Sequence, residues 1–308
     1  MKTSLTTYED RVGKWLLNLL HRQWRALGIP FGGPQTGGTA EAIDPEALLW
    51  CSLEFFPTQP RLCEQVLAWW GRNDQSILRP RIRKLAQAQD DPRAAIWHAL
   101  DPQWKVSLKP PSRPCYGQRS VQELIEFCGN ISKRVPQARL QRHQPGRAEC
   151  ALPATLLRAR DTVGADARHF VLVYLLANHG SARLRSIATW CGQTYRNVSK
   201  AAQRWESADI VSLQHGNARL RDPAIWAKVL GIGDRSVAVL NWLRLYEACL
   251  RLLRSLNKAA ATSIPADSPA VALLLRETED EAAASVESSP STPAQTVEDL
   301  KQLLSSLR

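Results

Sequence analysis

The sequence predicts a mainly α protein. It divides into a helical N-terminal domain at 1–140, a central helical segment closed by one β-hairpin at 151–231, a C-terminal amphipathic helical segment at 232–275 and an acidic tail at 276–308. The tail is expected to be partly disordered and to end in a short helix. Three observations carry this reading. Apolar residues recur at three- and four-residue spacing along most of the chain. Alternation of apolar and polar residues flanks His215-Gly216-Asn217 in IVSLQHGNARLRD. Hydrophobic residues make up 44% of the 308, with 11 tryptophans, a composition that folds rather than stays extended.

The elements follow in order. Residues 6–27 read as one helix, with Thr6 and Glu9 as a capping box and Val12, Trp15, Leu16, Leu19 and Leu20 on its apolar face. The stretch 28–38 has glycines at 32, 33, 37 and 38 but no Gly-Lys-Ser/Thr, so it reads as a linker rather than a phosphate loop. Asp44 is a natural N-cap with Pro45 at the first helical position. PRLCEQVLAWWGRN puts Leu62, Val66, Trp69 and Trp70 on one face and is expected to stop at Gly71, and SILRPRIRKLAQA follows with Leu78, Ile82 and Leu85. The proline-rich stretch 101–118 predicts a connector, Ser120 to Val135 a helix opened by Ser120 and Glu123, and 141–149 a second polar linker. Nothing in 1–140 has the look of a catalytic site, and its role is left open.

After Gly231 a long amphipathic helix over 234–258 carries the stripe Val239, Leu243, Tyr246, Leu250 and Leu253. It either pairs two copies in a homodimer or packs on the N-terminal helices of its own chain. The Ser/Pro-rich segment 285–296 predicts a mobile stretch before the last short helix.

Charge narrows the partners. The 40 Lys and Arg exceed the 29 Asp and Glu, giving +11, yet residues 276–308 carry −4, which leaves +15 on the body. A basic body with an acidic tail fits an anionic partner, most simply nucleic acid. No apolar run approaches the ~20 residues of a bilayer span, and the start MKTSLTTYEDRVGKW has no signal core, so a soluble cytoplasmic chain without membrane partners is expected. Seven scattered cysteines without a C-x-x-C pair read as reduced, buried small hydrophobes, and no metal site or cofactor is expected.

One motif carries function. ARHFVLVYLLANHG is a helix ending at Gly180, with Phe170, Val173, Tyr174 and Ala177 inward. RLRSIATWCG is a second, closed by Gly192 in a turn that favours positive φ. Thr194 then caps YRNVSKAAQRWESAD. Ala188 must be small where the next helix crosses, and Val198, Ala201 and Trp205 plug the core at helical spacing. This order of small residue, glycine and valine is that of a helix–turn–helix. The hairpin around His215 follows at once, where the wing of a winged helix stands. A step of 100° per residue places Arg196, Lys200 and Gln203 opposite the buried side, with Ser199 and Arg204 flanking and Tyr195 and Asn197 in the first turn.

In a major groove, Arg reads guanine while Asn or Gln reads adenine. Lys200, Arg204 and the hydroxyls of Thr194 and Ser199 suit phosphates. Tyr195 either meets base or phosphate or packs on the hairpin. Arg219, and with it Arg221, reaches phosphates or the minor groove from the hairpin. His179 and His215 are expected to end a helix and to sit in a turn.

These residues resemble those of bacterial winged helix–turn–helix transcriptional regulators, through RSIATWCGQTYRNVSKAAQRWESADIV and the hairpin after it, over residues 151–231. The resemblance implies dimeric binding to a promoter-like site, the second helix in the major groove and the wing alongside. A longer and looser one, through DPEALLWCSLEFFPTQPRLCEQVLAWW and the helical segment after the wing, is to winged-helix proteins that accompany abortive-infection nucleotidyltransferase toxins. It implies an autorepressor in a defence or toxin–antitoxin operon, with that toxin as a partner. The competing expectation is an interaction module whose winged helix binds a protein instead of DNA. No catalytic dyad or nucleotide loop stands out, so no enzymatic activity is expected.

Overall fold

The computed structural model describes residues 4–29, 31, 41–73, 76–87, 91–100, 152–233, 237–286 and 294–307. The linkers read at 28–38 and 141–149, the connector at 101–118 and the helix at 120–135 lie outside them wholly or for most of their length.

The chain is mainly helical. Before the gap run α1 (Leu5–Ala26), β1 (Glu41–Ala42), α2 (Pro45–Ser52) with a 3₁₀ turn at Leu53–Phe55, α3 (Pro60–Asn73), α4 (Arg79–Leu85) and α5 (Pro92–Leu100). After it come α6 (Thr155–Val163), α7 (Ala167–Ala177), β2 (Ser181–Arg183), α8 (Leu184–Cys191), α9 (Tyr195–Ser207), β3 (Val211–Gln214), β4 (Asn217–Leu220) and α10 (Pro223–Val229). The chain closes with β5 (Ala238–Val239), α11 (Trp242–Ala261), α12 (Pro269–Ser285) and α13 (Gln295–Ser305).

Local chemistry sets most boundaries, with some corrections. Asp44 caps α2 as expected, its carboxylate accepting from the Glu46 and Ala47 amides at 3.1 Å each. The cap of α1 is Ser4 rather than Thr6: its hydroxyl accepts from the Thr7 amide at 3.3 Å. α3 runs past Gly71 to Asn73, because a lone glycine weakens a helix without ending it. The helix expected from residue 234 begins only at Trp242, and Val239 belongs to β5.

Two hydrophobic cores organise the chain. The first joins α1–α5 to α11–α13, centred on Leu16, Leu20, Trp24, Trp69, Leu250 and Leu256. The boundaries read from the sequence separate what this packing joins: the N-terminal helices and α11–α13 share one core. α11 packs against α1, α2 and α12 of its own chain; of the stripe read from the sequence Tyr246 and Leu250 are buried in the helix, Leu243 and Leu253 only partly, and Leu245, Leu252 and Leu256 join the buried side. In the acidic tail, residues 276–285 continue α12 and 295–305 form α13, both packed on that core; of the segment expected to be disordered, 287–293 lie outside the described residues.

The second core gathers around α7, in which His169 to Leu175 are all buried. A helix that is apolar on every side belongs at a centre, and α6, α8, α9 and a three-stranded antiparallel sheet in the order β2-β4-β3 surround it. Strands β1 and β5, two residues each, pair in parallel where the two cores meet. Trp242 Nε1 donates to the Ala42 carbonyl at 2.6 Å and Trp190 Nε1 to that of Leu240 at 2.9 Å, so each core sends a tryptophan to this seam.

A buried ionic cluster fixes the cores to each other. Arg160 on α6 holds both carboxylate oxygens of Glu46 on α2, each at 2.7 Å, and its Nε donates to His169 on α7 at 3.0 Å. Arg81 on α4 bonds Asp44 at 2.6 Å and Glu46 at 3.2 Å. Both guanidiniums lie over the Phe170 ring, Arg81 at 5.2 Å and Arg160 at 5.7 Å. Burial alone raises the Asp44 carboxyl, but the Arg81 charge and hydrogen bond outweigh it and hold it below its ordinary range.

Candidate nucleic-acid interface

The site is built on α9. Gly192 ends α8 in the left-handed region, φ 64°, and the Gln193 amide returns to the Ala188 carbonyl at 3.1 Å. That turn aims α9 across α8 and α7, and Ala188 is buried at the crossing. Thr194 caps α9, its hydroxyl accepting from the Asn197 amide at 3.2 Å. Val198, Ala201, Ala202 and Trp205 point into the second core, and Trp205 stacks on Trp226 of α10 at 5.7 Å.

Opposite them the expected face is laid bare. Arg196, Asn197, Lys200, Gln203 and Arg204 are exposed, Tyr195 is 50% exposed and Ser199 is half-buried. Among the described residues Arg196, Lys200 and Arg204 make no ion pair. Asn197 touches Gln193 only through a long 3.4 Å bond. Unpaired guanidinium, ammonium and amide groups on one helix face retain their full donor capacity for an incoming anion or base edge.

The sheet carries a second cationic face. β3 and β4 turn over through His215 and Gly216, both at positive φ (50° and 77°), the pattern of a type I′ hairpin. Pairing puts Arg219 opposite Ser181 on one side and Ser212 on the other. Arg183 lies opposite Asn217, so Arg183 and Arg219 are diagonal neighbours on the solvent side of the sheet, together with Gln214. Arg183 was not singled out from the sequence, because β2 has only three residues and merges into the start of α8. Arg221 is not part of this face: it pairs with Asp209 at 2.7 Å. His179 sits two residues past the end of α7 at φ 53°.

Eight of the ten residues picked out from sequence thus stand on α9 or at its cap, Arg219 stands apart on the sheet, and Arg221 lies just past it, paired with Asp209. Sequence reasoning also missed a flank. A groove of about 340 Å³ runs between the start of α4 and α9, with Arg168, Asn197, Lys200 and Arg204 along it and Arg81 at its base.

The four cysteines within the described residues, Cys51, Cys63, Cys191 and Cys249, are buried and not joined in disulfides; burial pushes Cys191 and Cys249 up to about 12. Among the described residues no group of three His, Cys, Asp or Glu is placed to hold a metal, and no helix is long and apolar enough to cross a membrane. No protein-family model, curated protein or solved structure matches the chain.

Proposed function

We propose that residues 152–231 form a winged helix–turn–helix that binds double-stranded DNA, and that the protein is a non-enzymatic, sequence-specific transcriptional regulator. The observation that carries this reading is the division of α9, with four side chains locked in a core and Arg196, Lys200 and Gln203 unpaired on the opposite side. A helix about 10–12 Å across fits a major groove of about 12 Å. Arg196 there reads guanine, with Gln203 and Asn197 suited to adenine. Lys200, Arg204 and the hydroxyl hydrogens of Thr194 and Ser199 meet phosphates. Arg219, joined by Arg183, forms the wing's contact. The resemblance to winged-helix proteins beside abortive-infection nucleotidyltransferase toxins adds autorepression of such an operon, and two copies on a palindromic site, to the proposal.

Selection from a pool of random duplexes tests it. Wild-type protein should enrich a defined sequence and bind it with an affinity that falls steeply with salt, whereas Arg196→Ala with Lys200→Ala should enrich none. If the wild type enriches no sequence and binds duplex no more tightly than the double variant, DNA regulation is wrong and α9 serves a protein partner.

A further inference from the structure

One wall of the groove between α4 and α9 comes from the N-terminal helical unit, through Leu78, Pro80 and Arg81. Its far wall is Pro80 and the neighbouring turn of α4, its near wall the side of α9 that carries Lys200 and Arg204, and its end is Arg168 at the start of α7. We infer that the N-terminal unit is part of the DNA interface, and that this groove seats the phosphate backbone of the strand flanking α9. The inference rests on the DNA-binding reading above.

Geometry supplies the first reason. A helix lying in the major groove has one sugar–phosphate strand on either side. Asn197 and Arg204 lie on the same flank of α9, and that flank opens into this groove. A strand leaving α9 on that side therefore meets α4 rather than open solvent.

Charge supplies the second. Lys200 and Arg204 have no ion-pair partner among the described residues. Among the described residues Asp166 is the one carboxylate on the rim; it caps α7 by accepting the Arg168 amide at 2.8 Å and takes the Nε hydrogen of that guanidinium at 2.8 and 3.0 Å, with no partner among the described residues on either terminal nitrogen. The pair is about 40% exposed on each side, a setting in which such a bridge holds weakly and yields to a phosphate. Arg81 at the base is already matched by Asp44 and Glu46, so it shapes the floor rather than supplying free charge.

The lining argues against a protein occupant. Protein interfaces are anchored by buried aromatic and aliphatic side chains. The large exposed hydrophobics among the described residues are Tyr195, Ile225, Val229, Ile264 and Leu273, and none of them lines this groove.

The test measures affinity for a random-sequence DNA duplex across a salt series in five proteins besides the wild type. Arg168→Gln should lower the slope of log affinity against log salt by about one, the value of one phosphate contact. Pro80→Glu, a favourable residue for the first turn of α4, should weaken binding roughly three- to tenfold by repulsion. Pro80→Lys should tighten binding and steepen the slope, a gain that misfolding cannot mimic. Lys258→Gln, remote on α11, should match the wild type and so exclude a simple effect of net charge. Arg196→Ala should bind this random duplex about as the wild type does, its loss being confined to the base it reads.

If the wild type and Arg196→Ala behave in that way but Arg168→Gln, Pro80→Glu and Pro80→Lys all keep wild-type affinity and slope, DNA is held by α9 without the N-terminal unit and the inference is wrong. If the wild type fails to bind any duplex, the inference falls together with the DNA-binding reading. Capture of an acidic peptide in the groove at salt concentrations that abolish duplex binding would overturn it in favour of a protein occupant.

Discussion

Arg160 donates from Nε to His169 Nε2 at 3.0 Å, between the helix that opens the second core and the helix at its centre. A guanidinium cannot accept, so His169 is neutral with its proton on Nδ1, which has no hydrogen-bond partner among the described residues. Burial first, and then the charges of Arg160 and Arg81, hold the imidazole well below its ordinary pKa. The contact is the innermost link of the cluster that fastens α6 and α7 to α2 and α4, so the placement of α9 beside α4 depends on a histidine that stays uncharged.

That neutrality has a sign in pH. Below about pH 6.5 the unfolded chain protonates this histidine and the folded chain does not. The unfolded state then binds more protons, and stability falls as pH falls through that window. Asp44, held below its ordinary range, contributes in a separate and lower window, losing its contribution only as acid approaches carboxylate values. Urea midpoints should therefore drop between about pH 7.5 and about pH 5.5, and His169→Gln, whose Oε1 still accepts from Arg160, should show a smaller drop. An unchanged pH dependence in that variant would assign the effect elsewhere.

Glu46 is fully buried and serves two arginines and the Leu78 amide, the last at 2.8 Å. Glu46→Ala leaves Arg160 buried with no carboxylate partner. The expected loss is about 3–5 kcal/mol, the range for breaking one side of a buried pair. Chemical denaturation measures it directly; a loss below about 1 kcal/mol would mean that water reaches the cluster.

Two glycines separate backbone strain from steric conflict. Gly192 sits at φ 64° with open space where a Cβ would project, so Gly192→Ala should cost only the left-handed penalty, about 1–2 kcal/mol. Gly180 is also left-handed, at φ 82°, but a Cβ there would meet Pro223 Cγ at 2.7 Å. Gly180→Ala should be clearly the more damaging of the two in thermal melts, and the reverse order would refute the packing of α10 against this turn.

Legibility tracked the range of the interactions. α9 was readable because Gly192, Thr194 and the Val198–Ala201–Trp205 spacing act within one helix and its turn, and the hairpin because two positive-φ residues declare themselves locally. β1 and β5 were not readable: two-residue strands have no alternation to detect, and their pairing joins residue 41 to 238. The shared core of the two chain ends stood in the sequence only as one of two alternatives for the long C-terminal helix, because its contacts join residues far apart in the chain. Arg254 on α11, for example, holds Glu54 at 2.6 and 3.0 Å across 200 residues. The buried cluster was hidden differently, since Glu46, Arg81 and Arg160 carry the sequence signature of surface charges until folding brings them together. The groove beside α9 went unseen because α4 and α9 are neighbours only in space.

Arg196 and Lys200 occupy the same outward side of α9, yet they should fail differently when removed. A guanidinium presents two parallel donors that match guanine O6 and N7, so its contribution depends on the base it faces. An ammonium is a point charge suited to any phosphate. Arg196→Ala should cost about 1–3 kcal/mol on the selected sequence, relax preference at one base pair and leave affinity for random duplex little changed. Lys200→Ala should weaken selected and random duplexes alike and reduce the salt slope by about one. Measuring each variant on both duplexes across a salt series gives the full pattern. If the two variants weaken both duplexes equally, α9 holds DNA only through its backbone, and sequence reading must come from the sheet face of Arg183 and Arg219.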